Sequence, residues 1–121
     1  MGESGTTFDE TQIAEHLAQL PGWYYEGGWI RRVFKTDGWP TTLMLVNAIG
    51  FASEAAYHHP DLSVTWARVT VKLMTHSAGG VTEKDFALAR RIEEVALWRP
   101  EQGSALEGTP EMFVRAGDPR G

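Results

Sequence analysis

The stretch LSVTWARVTVKLM, residues 62–74, decides the fold. Leu62, Val64 and Trp66 alternate with Ser63 and Thr65, and Val69, Val71 and Leu73 alternate with Arg68, Thr70, Lys72 and Met74. Successive side chains of a strand point to opposite faces, so each half reads as a strand with one buried face. Downstream, Gly79-Gly80 makes a turn, and Thr82 and Asp85 offer an N-terminal cap. Leu88, Ile92 and Val95 then supply the stripe of a helix that ends before Pro100. Upstream, Met44, Ala48, Phe51, Ala52 and Ala55 fall on one face of a helix over 41–57. Pro60 disfavours the helical conformation at His59, so that helix ends near His58. The aromatic and β-branched run from Trp23 to Phe34, broken by Gly27-Gly28, suits two strands joined by a tight turn. Thr7 followed by Glu10 reads as a capping box for a first helix whose stripe is Ile13, Leu17 and Leu20, stopped by Pro21-Gly22.

The order is αββαββα. It is an α+β architecture, a four-stranded antiparallel sheet with helices packed on one face, whose edge strands are available for pairing between subunits. Residues 1–6 read as a flexible leader and 7–99 as one domain. The Gly-, Pro- and Glu-rich 100–121 reads as a tail that is mobile or docks on a neighbour, with a short apolar patch at Met112-Phe113-Val114.

The 121 residues suffice for one domain, and 42% hydrophobic with 22% charged residues is ordinary globular usage. A formal charge of −5 gives no basic footprint for phosphate neutralisation, so no direct nucleic-acid partner is expected. Cysteine is absent from the sequence, which removes disulfides and thiolate chemistry and favours a cytoplasmic compartment. No apolar run approaches the ~20 residues that span a bilayer, and no signal-peptide layout opens the chain, so no membrane partner is expected. Met1-Gly2-Glu3-Ser4-Gly5-Thr6 fits the loose myristoylation pattern, but no polybasic segment follows, and a flexible leader is the default reading.

Three of the four histidines stand where chemistry would use them. His58 and His59 end the second helix, and His76 follows the fourth strand; His16 lies on the first helix, at the surface. Imidazole titrates near neutrality, so one histidine can give a proton to a leaving hydroxyl while another accepts one from a neighbouring nitrogen. The residue types alone leave two other readings open. A helix-end His-His-Pro is an ordinary hydrogen-bonded turn, and three histidines with an open water position describe a zinc site. Against zinc, adjacent residues rarely face one ion and neither HxH nor HxxxH spacing occurs. Glu54, one turn before His58, is close enough to orient its imidazole.

Taken together, Glu54, three residues, His58-His59-Pro60, five residues, Trp66, nine residues, His76, eight residues and Asp85 resemble the signature of the pterin-4a-carbinolamine dehydratase family. The similarity extends more loosely from Phe8 to Trp98 through Pro21-Gly22-Trp23, Ile30-Arg31-Arg32 and Gly80-Val81-Thr82. The resemblance implies a lyase that removes water from 4a-hydroxytetrahydropterin to give quinonoid dihydropterin, in tetrahydrobiopterin recycling, with no metal or organic cofactor. It implies His58 and His76 as the acid–base pair and His59 as a pterin-holding third member of the catalytic set. Glu54, Tyr57, Met74, Thr75 and Ser77 would line the pocket, Trp66 would support it, and Asp85 would support His76 or cap the third helix. It also implies a homodimer or homotetramer. Tyr57 departs from the short acidic residue of animal members, which leaves open the same chemistry on another pterin such as a molybdopterin derivative. The fold also serves non-catalytic dimerisation and assembly factors, but retention of all three histidines favours an enzyme.

Overall fold

The computed structural model describes residues 6–119. Its order is α1 (Glu10–Leu17), β1 (Tyr24–Glu26), β2 (Trp29–Thr36), α2 (Trp39–Ala56), β3 (Asp61–Thr65), β4 (Arg68–Leu73), a single 3-10 turn at His76–Ala78, α3 (Glu83–Ala96) and β5 (Val114–Ala116). The αββαββα order is present, and the tail adds a strand. All pairings are antiparallel; the sheet runs β1-β2-β4-β3, with β5 also on β2. Gly27 and Gly28 both take positive φ, +63° and +91°, as a two-residue turn between β1 and β2 requires.

Cross-strand register assigns the two faces. Ile30, Phe34, Val69, Val71 and Leu73 point to one side and are fully buried against Ile49, Phe86, Ala89 and Ile92 of the helices. Arg32 shares that inner face and is also buried, because its guanidinium holds the Glu93 carboxylate of α3 at 2.7 Å. Gly22 has φ +92°, and a Cβ there would lie 1.8 Å from the Arg32 guanidinium, so the chain before β1 passes where only glycine fits.

Besides β3, which lacks the buried face expected of it since Leu62 is only half-buried and Val64 and Trp66 are exposed, three expectations are corrected. Asp9, not Thr7, caps α1: its carboxylate accepts from the Gln12 amide, and the Gln12 side chain accepts from the Asp9 amide. The preceding Phe8 is engaged elsewhere, donating its backbone N–H to Val81. In α2 the buried stripe is Thr42, Leu45, Ile49, Ala52 and Ser53, while Met44 and Phe51 are exposed. Both stripes have helical spacing and α2 is apolar on both sides. The inner one also satisfies its hydroxyls: Thr42 donates to the Trp66 carbonyl and Ser53 to that of Ile49. The third correction concerns the tail, which docks on its own sheet. β5 lies in line with β1 and covers the half of the β2 edge, Phe34–Thr36, that the short β1 leaves open. Val114 is buried there, Gly117 packs on Val33 and Lys35, and Arg68 donates to the Asp118 and Pro119 carbonyls. The leader residues 1–5 lie outside the described residues. Among the described residues no helix is long and apolar enough to cross a membrane.

Candidate active site

The site is assembled at the end of the sheet where α2 runs into β3 and β4 runs into the 3-10 turn. α2 ends in a Schellman motif: the His58 amide donates to the Ser53 carbonyl and the Tyr57 amide to that of Glu54. Such a motif needs a left-handed residue, usually glycine, and here Tyr57 supplies it at φ 56°, ψ 43°. A side-chain-bearing residue in this region costs about 1–2 kcal/mol. The reversal turns the chain sharply and presents His58 and His59 on different sides of it.

His58 points inward, its side chain only 15% exposed. Its Nε2 meets Asp85 Oδ1 at 2.6 Å. Nδ1 is the ring nitrogen without a hydrogen-bond partner among the described residues. Asp85 is fully buried in the first turn of α3, and its other oxygen accepts from the Thr75 hydroxyl and the Thr82 amide, both at 2.8 Å. The Thr82 hydroxyl closes the network on that of Thr75 at 2.8 Å. Asp85 thus completes the capping box of α3 and fixes a histidine with one carboxylate. Of the two roles the resemblance implied for Asp85, the structure shows the cap of α3, and the imidazole it meets is His58 and not His76.

His59 faces solvent, and its Nε2 meets Glu54 Oε1 at 2.9 Å. Glu54 orients His59 and not His58, because the left-handed turn at Tyr57 rotates the two rings apart. Tyr57 is 85% exposed and lies edge-on to His59 at 6.0 Å between ring centroids. His76 opens the exposed 3-10 turn directly after Thr75. Among the described residues its imidazole has no hydrogen-bond partner; it lies edge-on to Trp29 at 5.5 Å, and the Lys72 ammonium sits 4.6 Å over the same indole. Trp29 was not among the sequence-derived site residues, since an aromatic at the head of a strand is ordinary.

Of the residues expected to line the pocket, Ser77 is exposed, Met74 half-buried and Thr75 buried beneath, its hydroxyl already engaged by Asp85 and Thr82. Trp66 is not at this site. It occupies the β3–β4 turn at the opposite end of the hairpin, 70% exposed, with its carbonyl tied to Thr42 near the start of α2. A groove of about 720 Å³ between α2 and α3 reaches His58 and Tyr57 along Phe51, Ala55 and Leu88, but His59 and His76 do not line it. Among the described residues no group of three or more His, Asp or Glu side chains is gathered as a metal ion needs.

The sequence model of the Pterin 4 alpha carbinolamine dehydratase family matches residues 6–95. A protein of Roseiflexus sp. (strain RS-1) is 42% identical over 90 residues, covering 74% of this chain and 97% of the relative. One of Chloroflexus aurantiacus is 48% identical over 86 residues, covering 71% and 92%. Both are named, provisionally, pterin-4-alpha-carbinolamine dehydratase. The crystal structure of a transcriptional coactivator/pterin dehydratase from Brucella melitensis superposes with a TM-score of 0.71 at 32% identity, over 75% of this chain and 99% of that one. The family match stops at Val95, so β5 lies beyond it.

Proposed function

This chain belongs to the pterin 4 alpha carbinolamine dehydratase family, and from that premise we propose that it dehydrates a 4a-hydroxytetrahydropterin by histidine acid–base catalysis. The observation that carries the reading is the linkage His58–Asp85–Thr75, which ties one histidine rigidly to the residue preceding another. In the reaction the C4a–O bond breaks as the hydroxyl takes a proton and leaves as water, while N5 gives up its proton and C4a=N5 forms. One member of the His58/His76 pair donates and the other accepts. The His58–Asp85 bond removes rotational freedom that the reacting geometry would otherwise have to freeze. In this reading His59, on its Glu54 partner, holds the pterin from the solvent side together with Tyr57 and Ser77.

A homodimer or homotetramer is part of the proposal. Among the described residues the outer edge of β3 is unpaired, and Trp39, Leu43, Met44 and Phe51 of α2 are exposed. The biological role we assign is recycling of tetrahydropterin in the cytoplasm. The Brucella protein is called a transcriptional coactivator as well as a pterin dehydratase, and this favours a second reading, a scaffold whose partner binding is independent of the histidines.

The test is direct. An aromatic amino-acid hydroxylase generates the carbinolamine and its decay is followed by absorbance; addition of this protein accelerates the decay if the reading holds. Absence of acceleration by folded protein transfers the assignment to the scaffold.

A further inference from the structure

We infer that Trp29 is the positioning residue for His76, with Lys72 as its anchor, an inference that rests on the dehydratase reading only for its kinetic consequence. The three histidines are held by unlike means. His58 has a buried carboxylate at 2.6 Å and His59 an exposed one at 2.9 Å, whereas His76 has an indole. His76 stands on an exposed turn of three residues, where a side chain without a hydrogen bond samples its rotamers freely. A ring 5.5 Å away and nearly perpendicular, at 78°, restricts that sampling by edge-to-face packing.

The indole is itself fixed. Trp29 is half-buried and opens β2 directly after the Gly27-Gly28 turn, with Glu26 as its cross-strand partner. Ile30 beside it pairs with Leu73, so Trp29 stands where β4 runs on toward His76. Lys72 lies on the same outer face of the sheet and places its ammonium over the ring at 4.6 Å, a cation–π contact that pins the indole plane. The sheet thus carries the imidazole through two side chains, and Trp29 becomes one wall of the space in which the pterin meets His76.

The test compares Trp29→Leu, Trp29→Phe and Lys72→Met with the wild type in the full-length protein, by two readouts. The first is the histidine side-chain NMR spectrum of ligand-free, isotope-labelled protein, with His76 assigned by its loss in His76→Ala. The second is kcat and KM of carbinolamine dehydration. In Trp29→Leu the His76 resonances move and those of His58 stay, and kcat falls about tenfold or more with a smaller change in KM, as expected when a reacting group loses its placement. Trp29→Phe restores most of kcat, and Lys72→Met gives a smaller loss of the same kind. His76 resonances unchanged in Trp29→Leu overturn the inference, as does a kcat loss that Trp29→Phe fails to recover while remaining folded. A wild type without dehydratase activity defeats the functional reading alone; the resonance comparison then decides the positioning by itself.

Discussion

His58 and Asp85 lie 27 residues apart in the chain, and their side chains meet at 2.6 Å, the imidazole Nε2 against a carboxyl group that is fully buried. The same carboxyl group caps α3 and accepts from Thr75. The orientation of the His58 ring and the initiation of α3 therefore depend on one group. A buried carboxyl group with three hydrogen-bond partners is costly to alter, because each donor left unpaired costs about 1–3 kcal/mol.

Asp85→Asn consequently loses both stability and rate. The amide retains one acceptor oxygen and turns an N–H₂ toward donors, so urea unfolding shifts by about 2–4 kcal/mol. The dehydration kcat falls ten- to a hundredfold as the His58 ring loses its fixed orientation. Wild-type stability in this variant would show that the network contributes nothing to folding.

Tyr57 tests the strain beside the site. Glycine adopts φ near +56° without steric cost, so Tyr57→Gly raises stability by about 1–2 kcal/mol, whereas Tyr57→Ala, which keeps a Cβ, gives little or no gain. Thermal or urea unfolding of the two variants side by side separates backbone relief from loss of the exposed ring. An equal gain in both would assign the effect to the ring.

Gly22→Ala works in the opposite direction. Its Cβ would lie 1.8 Å from the Arg32 guanidinium, which can give way only by leaving its 2.7 Å contact with Glu93. Positive φ adds to the overlap, and a destabilisation of about 2–4 kcal/mol in urea is expected. Arg32→Met introduced together with it recovers part of that loss.

Much of this architecture was legible because its signals are local. The alternation through β4, the Gly27-Gly28 turn and the Thr82/Asp85 box each depend on residues close in sequence, and each stands where the spacing puts it. The face of α2 was not legible. Two stripes of equal period compete there, and the choice rests on Thr42 and Ser53 finding carbonyl partners, one of them on another element. The tail was missed for a related reason. Val114–Ala116 has no alternating pattern of its own and becomes a strand only because β1 is too short to cover β2. At the candidate site, the signature spacing picked out His58, His59, His76 and Asp85, of which the structure brings His58 and Asp85 into contact. It could not say which carboxylate serves which ring, since one left-handed residue, Tyr57, sets that. It also placed Trp66 with the others, although the hairpin carries that residue to the far end of the sheet.

Removal of residues 101–121 tests the tail. Among its described residues Val114 alone belongs to the buried core, and fully burying a valine contributes about 1.5–3 kcal/mol, so the shortened chain folds but is less stable by about that amount. It also exposes the Phe34–Thr36 edge of β2, and sedimentation shows added self-association at high concentration. Unchanged stability would mean that β5 contributes no net stabilisation to the sheet.

The central claim is that two histidines, one fixed through Asp85 and one standing beyond Thr75, carry the proton transfers. The most direct measurement is the carbinolamine decay assay on wild type, His58→Ala and His76→Ala, each checked for native folding by circular dichroism. The account predicts that wild type accelerates the decay and that each substitution removes about 10²–10⁴ of the acceleration. Folded wild type without acceleration, or both variants decaying the carbinolamine at the wild-type rate, would contradict it.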